Sequence, residues 1–381
     1  MHLVDLTLFY TPESGGVKTY LTAKAKWIAK FSGIQHSIVV PRSKHESYGQ
    51  GVLGVPSMAV PFMQGYRMPR SRKVAASLLS GLTPDCIEVS DPFHFAWAAL
   101  EAKKRTHVPI VAFCHSDLPR SIGLRFGKHA ERASMKYLSN LYRQFDLVLS
   151  PSAGLAQKLR DNGISRVRHQ PLGVDTVLFS PVWRDHDLRA RLALPKNTRL
   201  LVFGGHFAKE DNFALLIKTV ERLGPPYHLL IIGSGAKPPA SRRISVMPFQ
   251  QDARILATLM ASCDLFVHPG LQESFGPALL EAMACGLPVV GMASAGMAEL
   301  VDDKTGMLVK PGNADELTEG IHHIFRRGLG ELGINARRKV VQQYDWNQIM
   351  PQLMAHYVSL IASTGQRARH SSSTPYYADH Q

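Results

Sequence analysis

Two glutamates in one segment of the chain have a spacing that suits ligand binding. The segment reads HPGLQESFGPALLEAMACGLPVV over residues 268–290, and Glu273 and Glu281 lie eight positions apart in it. Carboxylates accept hydrogen bonds from hydroxyl groups, so the pair can hold a polyol at two points. The separation therefore suits a ligand that carries hydroxyls at both ends.

A helix start lies between the two glutamates. Gly276 and Pro277 are typical of the beginning of a helix, and Gly286 is typical of its end. We expect the backbone N–H groups at residues 276–279 to form an anion site. A nucleotide sugar presents sugar hydroxyls, a diphosphate and ribose hydroxyls in that order. This order matches a carboxylate, a set of amide donors and a second carboxylate.

Two glycines near the N-terminus form a second candidate phosphate site. Gly15 and Gly16 follow an apolar run and precede an amphipathic stretch at residues 17–31. Because they have no side chains, they allow the backbone to approach a diphosphate or an acceptor, with a helix N-terminus directed at it. A simple turn is the alternative interpretation.

Short apolar runs alternate with amphipathic stretches, which is typical of parallel sheets covered by helices on both faces. The predicted strands are Leu3–Leu8, Ser37–Val40, Cys86–Val89, Ile110–Phe113, Leu147–Leu149, Leu200–Phe203, His228–Ile232, Ile244–Val246, Leu265–Val267 and Pro288–Val290. The predicted helices are Val17–Phe31, Val74–Leu79, Phe95–Arg105, Lys128–Tyr142, Ala153–Asn162, Phe213–Leu223 and Trp346–Ile361. Polar residues 175–199 interrupt the pattern. The sequence therefore predicts two doubly wound units with a ligand-binding cleft between them, beyond the carboxyl ends of the strands.

The segment with the two glutamates resembles the E-x7-E motif of family 4 retaining glycosyltransferases, and other segments resemble family motifs in the same order. These are SGGVKTYL (14–21), HSDLP (115–119), PLGVDTVLFSP (171–181), LLVFGG (200–205), HLLIIGSG (228–235) and SAGMAELV (294–301). The resemblance covers most of residues 1–362. It implies the α/β fold called GT-B, in which two doubly wound Rossmann-like domains face a central cleft. It also implies transfer of a hexose from a UDP- or GDP-linked donor to an acceptor hydroxyl.

The resemblance also implies a division of the chain. Residues 1–175 would form the acceptor-side domain, residues 176–345 the donor domain, and residues 346–362 a helix that crosses back to the first domain. The polar, Ser-rich residues 363–381 are expected to be disordered. No metal or other cofactor is implied, and the 17 histidines show no convincing ligand spacing.

The family motifs suggest roles for individual residues. Glu281 would hold the ribose hydroxyls, and the expected catalytic residues, Glu273 and His115, would contact the donor sugar. The other expected donor contacts are Gly15, Gly16, Gly205, His206, Lys209, Phe249, Ser274, Phe275 and Gly276. By its position, the segment Val246–Phe249 would border the nucleobase, and residues 274–276 would offer backbone amides. The ring of Phe275 is equally consistent with core packing.

The chain departs from the family where an Arg and a Lys usually clamp the diphosphate. His206 stands at the Arg position and Asp211 at the Lys position. A charge-assisted phosphate contact contributes about 1.5–3 kcal/mol, so loss of both would weaken donor binding strongly. Lys209 or a basic residue of the N-terminal domain could compensate. A donor-binding or regulatory protein with weak or no transferase activity is therefore the alternative function.

Basic residues are concentrated in the first half of the chain. Residues 1–175 contain 23 basic and 12 acidic side chains, against a formal charge of +14 for all 381 residues. The expected acceptor or membrane side comprises Arg67, Arg72, Lys73, Arg120, Arg125 and Lys128. Arg125 and Lys128 step with Arg132 and Lys136 at helical spacing, so they are expected to share one helical face. An anionic lipid surface or an anionic acceptor would fit, and a solvated face is the alternative.

Composition narrows the remaining function classes. Four scattered cysteines favour a reducing compartment, and no stretch is apolar enough for a spanning helix. We therefore expect a cytoplasmic protein that is either soluble or peripheral at the inner face of the membrane. The expected partners are a nucleotide sugar and a glycan or lipid-linked acceptor, and the expected process is lipid-linked or surface polysaccharide synthesis. No recognition motif supports nucleic-acid binding. A GT-B epimerase or phosphorylase fits the E-x7-E segment less well.

Overall fold

The computed structural model describes residues 1–10, 15–42, 49, 51–60, 66–207, 212–235, 240–270 and 275–371. These residues form two α/β domains, each built around its own sheet. The prediction of two doubly wound units is therefore confirmed.

The first domain is an eight-stranded sheet, within the described residues, covered by helices. Its strands are His2–Leu6 (β1), Gln35–Arg42 (β2), Val52–Ala59 (β3), Arg67–Pro69 (β4), Cys86–Val89 (β5), Ile110–Phe113 (β6), Leu147–Ser150 (β7) and Val167–His169 (β8). Its helices are Gly16–Ile28 (α1), Arg72–Gly81 (α2), His94–Thr106 (α3), Leu118–Phe126 (α4), Lys128–Tyr142 (α5) and Ala153–Asp161 (α6). The strand order is β4-β3-β2-β1-β5-β6-β7-β8, and the β3–β4 pair is antiparallel while the other pairs are parallel.

The second domain has six strands among the described residues, in the order β11-β10-β9-β12-β13-β14. These strands are Arg199–Phe207 (β9), Tyr227–Gly235 (β10), Ile244–Pro248 (β11), Leu265–His268 (β12), Val289–Met292 (β13) and Gly306–Val309 (β14). Its helices are Leu188–Arg191 (α7), Phe213–Leu223 (α8), Ala253–Ala261 (α9), Pro277–Ala284 (α10), Ala295–Leu300 (α11), Ala314–Arg327 (α12) and Leu329–Gln343 (α13). A short 3-10 turn, Pro181–Trp183, precedes them.

The two domains are joined by two chain segments that pair with each other. Val174 and Asp345 form an isolated parallel bridge, and the Trp346 amide donates to the Val174 carbonyl at 3.2 Å. The last helix, Trp346–Ser371 (α14), then packs against α1 of the first domain. A chain that leaves the first domain thus returns to it, as the predicted crossing helix requires.

Burial explains why the central strands form. All residues of β1, β5, β6 and β7 are buried, as expected for strands that helices cover on both faces. Asp5 is the charged exception inside β1, and the Lys24 ammonium neutralises it at 2.7 Å. The polar residue within the apolar run is therefore part of a buried ion pair.

The structure differs from the sequence analysis in three respects. Strands β3, β4, β8 and β14 were not predicted. The last helix continues to Ser371, so disorder of residues 363–381 is wrong for residues 363–371, and residues 372–381 lie outside the described residues. Arg125 and Lys128 do not share a helical face, because Gly127, at φ 87°, separates α4 from α5.

Close packing of two glycines holds α10 in place, which gives a first prediction. A Cβ at Gly333 in α13 would lie 2.2 Å from the Gly286 carbonyl oxygen, just beyond α10. We expect Gly333→Ala to destabilise the protein by about 1–3 kcal/mol, because backbone must move. The matched variant Gly330→Ala, on the same helix with open space around it, should be neutral or stabilising. Chemical denaturation measures both, and equal stability of the two variants would contradict this packing.

Candidate active site

The helix between the two predicted glutamates forms as expected. Gly276 precedes α10 at φ 73° and Gly286 follows it at φ 78°, both in the left-handed region that favours glycine. The number of amide donors at its start is smaller than expected. Pro277 has no N–H, and the Leu279 amide already donates to the Gly276 carbonyl at 3.0 Å.

Two helix starts meet across the domains. A Cβ at Gly16, the first residue of α1, would lie 3.6 Å from Cγ of Pro277, the first residue of α10. Gly15 is exposed, and a Cβ there would meet no atom within 4 Å. The structure therefore brings Gly16 and the start of α10 together. Helix N-termini carry partial positive charge, so an anion placed between them would be stabilised by both.

Glu281 lies on α10, one turn beyond this meeting point. Burial raises the pKa of its carboxyl from the ordinary 4.5 to about 8. A carboxyl that keeps its proton near neutral pH can both donate and accept hydrogen bonds. Glu273 and Ser274, predicted to contact the sugar and the phosphates, lie outside the described residues, so their roles remain predictions.

The ring of Phe275 belongs to the protein core. It is 1 % exposed and packs against the Tyr344 ring in a tilted arrangement, with the ring centroids 5.9 Å apart and the planes at 56°. The packing interpretation of this side chain is therefore correct, and a contact between its ring and the sugar is wrong for this structure. Only its backbone is left to contact a donor.

The carboxyl ends of β9 and β10 each carry a glycine. Gly205 and Gly233 are register partners in these strands and have φ of 148° and 151°. Neither has a Cβ, so a ligand can approach the main chain closely. His206 continues β9 opposite Ser234, but only its backbone is described. Lys209 and Asp211 lie outside the described residues.

The predicted nucleobase contact is at the edge of the same sheet. Phe249 directly follows β11 and is 40 % exposed. A partly exposed aromatic ring at the carboxyl end of an edge strand is available for stacking. Its contact with a base remains a prediction.

His115 follows β6 at the carboxyl edge of the first sheet. Its ring stacks on Phe113, with centroids 4.3 Å apart and planes 6° from parallel, and it also contacts the Tyr20 ring at 5.3 Å. Burial, with a smaller contribution from the Lys24 charge, lowers the pKa of His115 to about 3. The imidazole is therefore neutral at physiological pH, and both of its ring nitrogens are buried.

The basic residues fall into separate groups. Arg67 lies on β4 and donates from Nε to the Ser57 hydroxyl at 2.9 Å, which is a structural contact. Arg72 and Lys73 are exposed at the start of α2, while Arg120 and Arg125 are exposed on α4 and Lys128 begins α5. A groove of about 640 Å³ lies along α5 and α6. Its basic lining residues are Lys128, Arg132, Lys136, Arg143 and Lys158.

Sequence reasoning missed a buried carboxyl group at the carboxyl edge of the first sheet, where His115 also lies. Asp91 follows β5 and accepts hydrogen bonds from the Leu8 and Phe93 amides at 3.0 and 3.1 Å. Burial, partly offset by these two bonds, raises its pKa to about 7. The Ser-Asp-Pro sequence at the end of a predicted strand was the available signal. Its two backbone contacts indicate that Asp91 holds the loop after β1.

The described residues contain neither a metal-binding cluster nor a membrane-spanning helix. Within that part of the chain, no three His, Cys, Asp or Glu side chains form a group that could hold a metal ion. Among the described helices, none combines the length and apolar character needed to cross a membrane.

Comparison with known proteins identifies the family. The model described as Glycosyltransferase Family 4 matches residues 14–178, and the one described as Glycosyl transferases group 1 matches residues 198–327. The chain belongs to glycosyltransferase family 4. It is therefore a glycosyltransferase.

Individual relatives in this family are similar over most of the chain. The sulfoquinovosyl transferase SQD2 of Arabidopsis thaliana is 29% identical over 79% of this chain, and the match spans 62% of that protein, under two thirds of its length. A GDP-mannose-dependent alpha-(1-6)-phosphatidylinositol dimannoside mannosyltransferase of Mycobacterium tuberculosis is 27% identical over 96% of this chain and 98% of its own length. Sucrose-phosphate synthase from Thermosynechococcus elongatus superimposes with a TM-score of 0.80 at 19% identity, covering 95% of this chain and all of that one. The fold is GT-B.

The raised pKa of Glu281 predicts a pH-dependent stability difference. The folded state holds this proton to about pH 8, whereas the unfolded chain releases it near its ordinary pKa. Ionisation therefore lowers the free energy of unfolding as pH rises through this window, by up to a few kcal/mol at about 1.4 kcal/mol per pKa unit. Glu281→Gln cannot ionise, so its stability relative to wild type should increase from pH 5 to pH 8.5.

Urea denaturation across this pH range measures the effect. Glu319→Gln, which changes an exposed glutamate on α12 of the same domain, should parallel wild type. A Glu281→Gln difference that stays constant from pH 5 to 8.5 would show that the carboxyl is not protonated in the folded state.

Proposed function

We propose that this glycosyltransferase moves a hexose from a nucleotide sugar to an acceptor hydroxyl with retention of configuration. The meeting of two helix starts at Gly16 and Pro277, with Glu281 one turn away, is the observation that carries the proposal. A diphosphate between the helix starts would satisfy their partial positive charge. The ribose on one side and the sugar on the other would then lie near the carboxyl groups of Glu281 and Glu273.

The donor would be held mainly by backbone and hydroxyl contacts. The phosphates would bind the main chain of residues 15–16, of residues 276–278 and of Gly205. The protonated Glu281 carboxyl would exchange hydrogen bonds with the ribose hydroxyls. The name of the mycobacterial relative makes GDP-mannose the first donor to test, and a UDP-linked hexose the second.

The chemistry would need little from ionised side chains. The acceptor oxygen would form a bond to the anomeric carbon on the face from which the diphosphate leaves. The bond from that carbon to the phosphate oxygen would break, and the acceptor proton would pass to the same oxygen. Neutral His115 would orient a sugar hydroxyl once the ring turns toward the cleft or the domains shift. The helix starts would stabilise the departing charge.

A lipid-linked acceptor at a membrane surface would suit the first domain. The name of the mycobacterial relative includes a phosphatidylinositol glycolipid. At the junction of α4 and α5, Leu124 and Phe126 are 58 % and 67 % exposed, and Arg125 and Lys128 stand beside them. Exposed apolar side chains next to cations favour the interface of an anionic bilayer.

The replaced phosphate clamp favours one alternative. With His206 and Asp211 at the usual Arg and Lys positions, the protein would bind donor weakly and act as a donor-binding or regulatory member of the family. Turnover separates the two functions. Measurable release of nucleotide together with a glycosylated product, in any donor and acceptor combination, would exclude the alternative.

Donor binding tests the proposed site directly. Wild-type protein should bind GDP or UDP in isothermal titration, and Glu281→Ala should weaken that binding about tenfold or more through loss of a buried hydrogen-bonding group. Glu319→Ala removes an exposed glutamate from the same domain and should bind as wild type does. Unchanged affinity of Glu281→Ala would refute the assignment of the ribose site.

Vesicle binding tests the membrane surface. The double variant Lys128→Ser/Arg132→Ser should bind phosphatidylglycerol vesicles about tenfold or more weakly, at about 1 kcal/mol per basic residue. Arg326→Ser/Arg327→Ser removes the same charge from α12 of the other domain and should bind normally. If both double variants lose vesicle binding equally, or if wild type binds phosphatidylcholine vesicles as well as phosphatidylglycerol vesicles, this surface has no specific membrane role.

A further inference from the structure

Tyr20 of α1 connects the proposed sugar-contacting histidine with the rest of the molecule. The Tyr20 side chain is 1 % exposed. Its ring contacts His115 at 5.3 Å, Phe113 at 5.1 Å and Trp346 at 6.2 Å between centroids. These three rings belong to the end of β6 and to the crossing between the domains. Tyr20 is therefore in contact with both.

The hydroxyl of Tyr20 is held by a buried carboxylate. It donates to Glu88 Oε1 at 2.8 Å, and the hydroxyl of Tyr357 on α14 donates to the other oxygen of Glu88. Lys24 donates to the Tyr357 hydroxyl at 2.8 Å and lies 3.5 Å from Glu88. The Tyr20 hydroxyl is hydrogen-bonded, and the Tyr20 ring is packed against other rings. The side chain is therefore held in one orientation.

Charge balance makes this arrangement rigid. Burial raises the pKa of Asp5, but Lys24 and His36 outweigh it, so that the pKa of Asp5 lies below its ordinary value. Burial likewise lowers the pKa of Lys24, and Asp5 and Glu88 more than offset it. The ammonium is thus held between two carboxyl groups, and breaking one of these contacts would weaken the compensation of a buried charge.

The same carboxylate ties the C-terminal helix to the first domain. Tyr357 lies 11 residues beyond Trp346, where α14 begins. Tyr357 shares the Glu88 carboxyl group with Tyr20, and Trp346 contacts the Tyr20 ring. Docking of α14 therefore positions Tyr20 through its hydroxyl and through its ring. The Tyr20 ring in turn forms one wall of the His115 site.

We propose that Tyr20 is a positioning residue for His115, and that Glu88 and Tyr357 fix its ring so that the docked C-terminal helix sets the orientation of the histidine at the cleft. This inference rests on the proposed role of His115 in holding the donor sugar. It gives the crossing helix a function in the active site in addition to its packing.

The variants separate the hydroxyl from the ring. Tyr20→Phe keeps the ring and removes the bond to Glu88, and Tyr357→Phe removes the other hydroxyl on the same carboxylate. Tyr227→Phe is the matched control. It removes a buried tyrosine hydroxyl, bonded to Arg199 at 2.7 Å, from the second domain. If Tyr20→Phe does not fold, Tyr357→Phe carries the test.

Two measurements read out the position of His115. In the full chain with 13Cε1-labelled histidine, the His115 resonance is assigned by its loss in His115→Gln. It should shift in Tyr20→Phe and in Tyr357→Phe and stay in place in the control. With the donor that wild type uses, kcat should fall about tenfold in both variants, as expected for a displaced positioning group, while the donor KM stays within about twofold.

The outcomes distinguish this proposal from the proposed function. A stationary His115 resonance in Tyr20→Phe, or a kcat equal to that of the control, would overturn the positioning role. If the double variant Tyr20→Phe/Tyr357→Phe shifts the His115 resonance further than Tyr20→Phe alone, Tyr357 acts on His115 by another route. That result would overturn the proposed role of Tyr357. If wild type uses no nucleotide sugar, the proposed function fails, and the resonance decides whether Tyr20 positions His115.

Discussion

The site depends on the approach of two helix N-termini, at Gly16 in one domain and Pro277 in the other. The partial positive charges of two helix starts repel each other unless an anion or water lies between them. Both starts carry a glycine at the capping position, so no capping side chain occupies the space in front of them. A diphosphate supplies charge of the needed sign, which makes its binding and the closure of the domains favour one another.

The positions of these helix starts are fixed by packing and by the chain crossing. Gly333 lets α13 contact the residue that ends α10, which holds the Glu281 helix in the second domain. In the first domain, α1 is held by the buried contacts of Lys24 with Asp5 and with Tyr357 of α14. Since α14 follows the crossing at Val174 and Asp345, the domain connection and the orientation of α1 are mechanically linked.

The sequence predicted the elements with strong local signals. Helices α5, α8 and the start of α10 occur as expected, because each has apolar spacing or a glycine-proline boundary. Strand β3 was missed because it contains Gly54 and Pro56 and is partly exposed near the sheet edge. The shared helical face expected for Arg125 and Lys128 was wrong because the basic spacing continues across Gly127, which ends α4. The contact between Gly16 and Pro277, and the convergence of Tyr20 and Tyr357 on Glu88, depend on tertiary packing that no local pattern encodes.

The central claim is that the donor diphosphate binds between the two helix starts, and a crystal structure of the complex with GDP or UDP tests it most directly. The account predicts phosphate oxygens within hydrogen-bond distance of backbone amides at the starts of α1 and α10, with the ribose hydroxyls on Glu281. A nucleotide bound with its phosphates away from both helix starts, or with Glu281 directed away from the ribose, would contradict it.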